Sequence, residues 1–241
     1  MIYIHEFIDI IGHNRARYMH HMTANWVPVA IEQRNMRCFG VWATVGSTGR
    51  WPEVVNMWEL DGWDGLVANF EHELTGSGLQ DPALAEWWAV AAEFRRGGFD
   101  RILEPEPENQ SIDALNAAGV HGAVYAHELI RVAPGRVREF LDARRDIGVP
   151  AAVAAGLTPI GGYRVAMRND TEAISISAAP DLMTWAASER AWDGDEMRPW
   201  RKVLVELGAD VERILLVDAP LAPLRIGRQP EVSDRRPLSE L

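Results

Sequence analysis

Apolar and polar positions alternate over several short stretches of the chain, and this two-residue period predicts strands. In the first half, helical spacing is found over 14–33 and 63–74, and Asp81-Pro82 is typical of a helix start with Asp as the N-cap. The strands predicted there are 2–10, 38–45, 54–60 and 99–103. The second half gives strands over 123–132, 160–167, 173–178 and 211–217, with helices over 136–154, 181–192 and 196–207.

The two halves also repeat one another residue by residue. The matches are Tyr3-Ile4-His5-Glu6-Phe7 with Tyr125-Ala126-His127-Glu128-Leu129, Val27-Pro28 with Val149-Pro150, Gly40 with Gly162, Val55-Asn56-Met57 with Ile174-Ser175-Ile176, and Arg101-Ile102-Leu103 with Arg213-Ile214-Leu215. The spacing between partners shortens along the chain, but only between elements, where loops tolerate deletions. The chain is therefore two diverged copies of one unit.

The order β-α-β-β-α-β in each copy is that of a ferredoxin-like unit, whose antiparallel sheet carries helices on one face. The bare face must be covered, and the other copy can cover it. We therefore predict an α+β fold of two ferredoxin-like repeats whose antiparallel sheets pack face to face as a barrel. The predicted parts are a first repeat over 1–104, a linker over 105–120, a second repeat over 121–218 and an extended tail over 219–241. The acidic Pro alternation at 104–108 is expected on the surface.

Composition narrows the range of partners. The net charge of -11 argues against nucleic acid, which requires clustered Lys and Arg. The single cysteine, Cys38, excludes an internal disulfide and a multi-cysteine metal site, and no metal is predicted. The chain shows no signal-peptide pattern and no apolar run long enough to span a bilayer, so we expect a cytoplasmic protein without membrane contact. A homodimer stays open.

Strand alternation predicts which side chains face the cavity. The apolar residues Val55, Met57, Ile174 and Ile176 are expected to meet the helices. The predicted ligand-binding residues are then Tyr3, Trp42, Asn56, Trp58, Tyr125, Ser175 and Ser177. Glu6 and Glu128 do not fit this assignment, because each places a carboxylate in an otherwise apolar row. Either they lie at a rim, or the faces are reversed and they are the cavity acids.

His5 and His127, together with Glu6, are the predicted catalytic residues. Two histidines on repeat-related strands can converge on one cavity, and the unperturbed pKa of histidine, about 6.5, suits proton transfer near neutrality. The alternative is that both are core histidines. The first copy alone has His13, His20 and His21, which form either a metal or anion site or a solvated helix face. This asymmetry favours the first copy as the one that carries function.

Several short motifs carry a family resemblance. The second copy contains Ala133-Pro134-Gly135, Phe140, Gly148-Val149-Pro150 and Gly161-Gly162-Tyr163, and the first contains Val54-Val55-Asn56-Met57-Trp58 followed by Glu59-Leu60-Asp61-Gly62-Trp63. Together they resemble the NIPSNAP family of the dimeric α/β-barrel superfamily, in tandem form. The first copy departs from the pattern, with Ile11-Gly12-His13 in place of the usual Pro-Gly pair. The resemblance implies a barrel holding a small molecule or haem, in a superfamily of cofactor-independent oxygenases, cyclases, isomerases and haem enzymes.

These features favour a small-molecule enzyme of secondary or degradative metabolism. It would act on an apolar substrate, with a cyclic one among the options, by general acid–base catalysis in a barrel cavity. Cofactor-independent oxygenation, isomerisation, cyclisation and hydration all fit, so a monooxygenase, an isomerase and a lyase stay open. The alternatives are a non-catalytic protein that binds an apolar ligand and a haem protein with a cavity histidine as axial ligand.

Overall fold

The computed structural model describes residues 1–75 and 78–241. The strands of this part of the chain are β1 (Ile2–Ile10), β2 (Arg37–Thr44), β3 (Glu53–Leu60), β4 (Arg95–Pro105), β5 (Val124–Arg131), β6 (Thr158–Ala166), β7 (Glu172–Ala179) and β8 (Asp210–Asp218). The α-helices are α1 (Arg15–His20), α2 (Val27–Arg34), α3 (Gly62–Glu73), α4 (Pro82–Ala91), α5 (Ile112–Ala117), α6 (Val137–Ala143), α7 (Val149–Ala154), α8 (Leu182–Ala191), α9 (Arg198–Glu206) and α10 (Pro223–Ile226).

The chain divides into two compact units, neither of which is one continuous stretch. The first consists of Met1–Asp100, Ser111–Gly119 and Asp218–Leu241, and the second of Arg101–Gln110 and Val120–Val217. Helix α5 lies within the segment predicted as a linker and packs into the first unit, with Ile112 and Leu115 buried. The tail also belongs to the first unit, where Gln229 donates to the Cys38 carbonyl oxygen at 2.8 Å.

Each unit contains the same antiparallel sheet. The strand order is β4-β1-β3-β2 in the first unit and β8-β5-β7-β6 in the second, where the end of β4, Ile102–Pro105, also pairs with β6. This is the ferredoxin-like order, in which the fourth strand of a unit lies beside the first, the first beside the third, and the third beside the second. The predicted α+β class and the two ferredoxin-like repeats are confirmed.

A bulge interrupts the second strand of each repeat and corrects one of the residue matches. The register skips between Cys38 and Gly40 in β2 and at the equivalent point of β6, where Gly161 pairs with Ile176 as Gly40 pairs with Met57. Gly40 therefore corresponds to Gly161, one position before the predicted match at Gly162.

The register also identifies the true partner of Gly162. Gly162 pairs with Ser175 and Val41 pairs with Asn56, so Gly162 corresponds to Val41 in the first repeat. One repeat thus has a buried valine where the other has a glycine.

The first helical stretch of each repeat contains a π-helical turn. The turns are His21–Trp26 and Arg144–Gly148, and each is followed directly by a Val-Pro pair. Pro28 has no N–H to donate to the Ala24 carbonyl four residues earlier, and that oxygen accepts from Arg235 Nε of the tail at 3.2 Å. The helical path continues through Pro28, with the π-helical turn on its N-terminal side.

The helices cover the face of each sheet that carries the two glutamates. In the first unit, Asn56 Nδ2 donates to the Tyr18 hydroxyl of α1 at 3.0 Å, and Asn56 pairs with Glu6 on the same face. In the second unit, Arg144 Nε donates to Ser175 Oγ at 3.0 Å, and Ser175 pairs with Glu128.

The prediction that Val55, Met57, Ile174 and Ile176 face the helices is therefore wrong in both repeats. Every residue of β3 is buried, and in β7 all but the first residue are buried. Because both faces are buried, the contrast between apolar and polar residues does not reveal which face meets the helices.

Asp81 caps α4 as predicted and also neutralises a buried arginine. Its carboxylate accepts from the backbone N–H of Leu84 at 3.0 Å and of Ala83 at 3.4 Å, and from Arg34 Nη2 at 3.1 Å. Burial alone would raise the pKa of Asp81, but the hydrogen bonds from Arg34, Leu84 and Ala83 outweigh it and lower the pKa. The ionised form is therefore the one that stabilises the fold.

We expect Asp81→Ala to lower the free energy of unfolding by about 3 kcal/mol, because it removes a cap and leaves the buried Arg34 guanidinium with only the more exposed Glu73 as a counterion. Urea denaturation at neutral pH measures this loss. A carboxylate with a lowered folded-state pKa stabilises above its unfolded pKa, so the loss should shrink as the pH falls below about 4. Asp181→Ala, at the exposed N-cap of α8, is the matched control and should cost less. Equal losses would contradict the role assigned to Arg34.

Candidate active site

On the helix face of the first unit, a buried polar cluster surrounds Glu6. Its Oε2 accepts from Asn56 Nδ2 and from Trp58 Nε1, both at 3.0 Å, and Asn56 reaches on to Tyr18. Burial raises the pKa of Glu6, the negative charge of Asp100 adds to this, and the hydrogen bonds from Trp58 and Asn56 oppose it. Burial and the charge of Glu6 also raise the pKa of Tyr18. The large side chains of Tyr18 and Trp58 are buried here, between sheet and helices.

On the equivalent face of the second unit the space is open. A pocket of about 60 Å³ lies between the sheet and the helical segments. A single water molecule needs roughly 10–15 Å³ of such space, so the pocket has room for several. The lining residues come from the sheet, from the stretch Arg144–Leu157 and from the helices that follow β7. They are Ala126, Glu128, Arg144, Gly148, Val149, Ala152, Ala155, Leu157, Pro159, Ser175, Ser177, Ser188, Glu189, Trp192, Met197, Trp200 and Arg213.

Glu128 lies on the sheet side of this pocket. Its cross-strand neighbours are Ser175 on β7 and Arg213 on β8, so three polar side chains share one face at one level of the sheet. Burial raises the pKa of Glu128, while the charges of Arg213 and Arg144 and a hydrogen bond with Ser175 pull it down without cancelling the rise. A carboxyl group with a raised pKa is suited to accept or release a proton.

Arg144 stands beside Glu128 and is held by two other groups. It is 6% exposed, its Nε donates to Ser175 Oγ at 3.0 Å, and its Nη1 donates to Glu106 Oε2 at 2.5 Å. Burial raises the pKa of Glu106, against the opposing charge of Arg144. The pocket therefore contains a fixed cation next to its acid–base candidate.

Tryptophans form part of the pocket wall. Trp200 packs against Phe140, with ring centroids 5.7 Å apart, and belongs to the buried core of the second unit. The guanidinium of Arg213 lies over the ring of Trp192, 4.3 Å from its centroid, and also donates to Glu189 Oε1 at 3.3 Å. Flat aromatic surfaces beside the partly buried carboxyl of Glu128 suit a ligand with an aromatic ring.

Smaller residues at equivalent positions leave room for the pocket of the second repeat. Ser177 takes the position of Trp58, and the short side chains at Ala126 and Ser175 take those of Ile4 and Asn56. In the first repeat, the Trp58 indole lies directly against Glu6. In the second, the position equivalent to Trp58 has only the small side chain of Ser177. The expectation that the first copy carries function rested on its additional histidines and its larger side chains, and one of those side chains, Trp58, occupies the space that Ser177 leaves free in the second unit.

The predicted catalytic histidines lie on the opposite face from the two glutamates. His5 pairs with Met57 and His127 with Ile176, and both are fully buried. Burial, reinforced by the positive charge of Arg101, lowers the pKa of His127 to about 3. The His127 imidazole is therefore neutral near neutral pH and a weak base. The structure separates it from the pocket, and a catalytic role for either histidine stays a prediction.

The predicted ligand-binding residues are divided between the two faces. Ser175 and Ser177 line the pocket, and Asn56 and Trp58 occupy the equivalent, filled position in the first unit. Tyr3, Trp42 and Tyr125 lie on the other face. Tyr3 donates to Glu59 Oε2 at 3.0 Å and Tyr125 accepts from the Gly122 N–H at 3.2 Å.

Trp42 and Trp58 therefore cannot line one pocket, contrary to the prediction. Trp42 pairs with Val55, which shares the face of His5, whereas Trp58 pairs with Ile4 on the face of Glu6. Alternation along neighbouring strands sets the two indoles on opposite sides of the same sheet.

The histidines unique to the first copy make structural contacts. His21 stacks on Trp87 with ring centroids 4.9 Å apart, and its Nε2 is 3.1 Å from the Trp87 carbonyl oxygen. His20 Nε2 accepts the Arg236 N–H at 3.0 Å, and burial lowers the pKa of both histidines. Among the residues that the structure describes, no group of histidine, cysteine and carboxylate side chains could hold a metal ion.

Several pocket residues were not singled out from the sequence. They are Arg144, Glu189, Trp192, Trp200 and Arg213. Glu106, which contacts Arg144 from outside the pocket lining, was not singled out either. The pocket could have been predicted from the sequence by noting that small residues of the second copy match large residues of the first, as Ser177 matches Trp58. Glu106 offered no such signal, because an acidic Pro-rich run is typical of an exposed linker.

No protein-family model matches the chain, and no curated protein matches it in sequence. Its fold is similar to that of several solved structures. An anthrone oxidase-like protein aligns with a TM-score of 0.61 at 11% identity, over 90% of this chain and 91% of that chain. A proposed monooxygenase from Lactobacillus acidophilus aligns with a TM-score of 0.57 at 10% identity, over 90% and 96%. A proposed monooxygenase from Fusobacterium nucleatum aligns with a TM-score of 0.54 at 11% identity, over 90% and 92%.

At these identities the similarity establishes the fold, which is that of the ferredoxin-like α/β-barrel proteins. It does not establish membership of the NIPSNAP family. No helix in the described part of the chain has the length and apolar character to cross a membrane.

The pocket does not suit a haem. A haem enzyme of the kind considered from the sequence needs an axial side-chain ligand such as histidine, and no histidine is among the residues that line this pocket.

We expect Ser177→Trp to abolish ligand binding in the second unit, because an indole there would take the space that Trp58 takes in the first. Isothermal titration calorimetry with 1-naphthol as the probe measures the loss, with at least a tenfold rise in Kd expected from removing a ring-sized site. Ser233→Trp, on the exposed tail, is the matched control and should bind like the wild type. Unchanged binding by Ser177→Trp would show that 1-naphthol occupies another site.

Proposed function

We propose that this chain is a small-molecule enzyme, that the pocket of the second unit is its active site, and that Glu128 is the general base. The observation that carries the proposal is the position of Glu128. It is a partly buried carboxyl group with a raised pKa, set between two arginines and facing a pocket with tryptophan in its wall. Perturbed titratable groups in concave sites mark functional positions.

The charges around Glu128 suit proton abstraction from a neutral weak acid. Arg144 and Arg213 are balanced by Glu106 and Glu189, which contact them directly. The pocket therefore has no excess positive charge with which to attract an anion. When Glu128 takes a proton, its negative charge passes to the substrate, and both arginines remain close enough to stabilise it there. Such fixed charges act strongly in a partly desolvated site.

The substrate class follows from the wall and the size of the pocket. Trp192, Trp200 and Met197 offer flat and polarisable surface for an aromatic ring. The limited volume admits one edge of a fused-ring molecule, the remainder lying toward the open side. We infer an aromatic substrate with an acidic C–H or O–H group, such as a phenol or a methylene carbon flanked by aromatic rings.

Oxygenation without a cofactor is the reaction we propose. The similarity in fold to an anthrone oxidase-like protein and to two proposed monooxygenases supports this choice. Glu128 would remove a proton from the ring-flanked methylene, and the resulting carbanion would supply electrons to dioxygen. Overall, the methylene and one O₂ give a carbonyl and one water, so dioxygen is the oxidant and no external reductant is required.

We expect Glu128→Gln to lower kcat/KM for anthrone oxidation by at least about 100-fold, because general acid–base catalysis contributes roughly 10²–10⁴. Oxygen consumption by the purified protein measures the rate. Glu6→Gln is the matched comparison, since Glu6 is the repeat counterpart of Glu128 and was the glutamate predicted to be catalytic. An equal loss in Glu6→Gln, or full activity in Glu128→Gln, would refute the assignment.

The pH dependence provides a second check on the same step. A general base acts in its deprotonated form, and burial places the pKa of Glu128 above its ordinary value. The rate should therefore fall as the pH drops through this raised pKa, and this acidic limb should be absent from the residual activity of Glu128→Gln. A rate that rises as the pH drops would instead make Glu128 the general acid.

A further inference from the structure

Glu106 belongs to the acidic Pro alternation that was expected on the surface, yet its side chain is buried. It is 7% exposed, whereas Glu108, two residues on, is exposed. Its Oε2 meets Arg144 Nη1, and its Oε1 is buried without a hydrogen-bond partner in the described structure. Burying a charged group costs free energy, so this contact requires an explanation.

The backbone around Glu106 is fixed to β6 by a group of hydrogen bonds. The Glu106 N–H donates to the Gly162 carbonyl oxygen at 2.9 Å, immediately after the pairing of β4 with β6 ends. Asn109 accepts from the Gly162 N–H at 3.2 Å and donates to its carbonyl oxygen at 2.9 Å. The segment is thus held in one place, with the Glu106 carboxylate directed at Arg144.

Gly162 provides the space for this ion pair. A Cβ at this position would lie 2.0 Å from Glu106 Oε2 and 2.6 Å from Arg144 Nη1, so any side chain would displace both groups. The first repeat has Val41 at the equivalent position. It has no counterpart of the arginine either, since Met22 matches Arg144 in the repeat. The ion pair therefore belongs to the repeat that has the open pocket.

The charge of Arg144 also acts on a second carboxylate, Glu128, which lines the same pocket. Ser175, the hydrogen-bond partner of Arg144 Nε, is the cross-strand neighbour of Glu128 and hydrogen-bonds with it. A direct ion pair between Arg144 and Glu128 would weaken the glutamate as a base, because an adjacent cation favours the ionised carboxylate. Glu106 competes with Glu128 for this guanidinium, because its carboxylate accepts a hydrogen bond from Arg144 Nη1.

We propose that Glu106 is a positioning residue: it holds the guanidinium of Arg144 at Ser175 and prevents it from closing an ion pair with the general base Glu128. The proposal rests on the function proposed for Glu128. It explains why Glu106 is buried, why residue 162 is a glycine, and why Glu106, Gly162 and Arg144 occur in the same repeat.

Glu106→Gln tests this directly, because it keeps the shape of the side chain and removes its charge. Arg144 is then free to pair with Glu128, so the acidic limb of the kcat profile for anthrone should move to lower pH. A weaker base should lower kcat about tenfold with little change in KM. Glu108→Gln, on the exposed neighbour, is the matched control and should match the wild type in both respects.

A readout without substrate separates this proposal from the proposed function. The titration of the Glu128 carboxyl carbon is followed by ¹³C NMR, with the signal assigned by its absence in Glu128→Gln. We expect a shift to lower pH in Glu106→Gln and to higher pH in Arg144→Gln. Arg144→Gln and Glu106→Gln/Arg144→Gln should titrate alike, because Glu106 acts through Arg144. The double variant carries no unpaired buried charge and also serves if Glu106→Gln fails to fold.

Two outcomes would overturn the proposal. One is an unchanged Glu128 titration in a Glu106→Gln protein that merely melts at a lower temperature, which is a structural role alone. The other is a difference between the double variant and Arg144→Gln, which shows that Glu106 acts on Glu128 without Arg144. If the wild type oxidises no anthrone while the titrations shift as expected, the reaction proposed for the pocket fails and the positioning role of Glu106 stands.

Discussion

The antiparallel pairing of the first and third strands in each repeat is the constraint on which the site depends. It sets Glu6 opposite Asn56 and Glu128 opposite Ser175, and it fixes which side chains can meet the helices. A shift of one residue would exchange every side chain between the two faces. Because both repeats keep the same register, they started from the same arrangement, with a carboxylate under a helix. What differs between them is the set of residues that surround it.

The two carboxylates show how the surroundings decide the outcome. Around Glu6, the indole of Trp58 and the amide of Asn56 satisfy the carboxylate and leave a packed polar core. Around Glu128, the smaller Ser177 and Ser175 leave room, and charged groups from more distant segments replace the missing contacts. The first copy thus packs bulky groups around its carboxylate, which gain dispersion contacts and hydrogen bonds to Glu6. The second copy keeps a partly buried carboxyl next to an open space.

The sequence alone predicted most of the fold but only part of the candidate site. Strand and helix periods, the Asp81-Pro82 start and the repeated Tyr-x-His-Glu strands predicted the elements and their order, because these are local signals. The assignment of faces failed because β3 is buried on both sides, so its apolar residues Val55 and Met57 carried no information about direction. Arg144 and Glu106 could not be predicted as partners, since they meet through a backbone path held by Asn109 and Gly162 across the sheet. Of the pocket residues, Ser175 and Ser177 were predicted to bind the ligand, and Glu128 was noticed as a residue that did not fit the pattern.

The interleaving of the two units has a consequence for the history of the chain. Residues 101–110 pack with the second unit, residues 111–119 return to the first, and the C-terminal segment 218–241 completes the first unit after the second has ended. No single cut in the polypeptide separates the two units. Neither copy could now be moved to another protein as one continuous segment, because the sequence of each unit is interrupted by sequence of the other. A recombination event near the middle of this chain would split both units, so the two copies are inherited together as one gene.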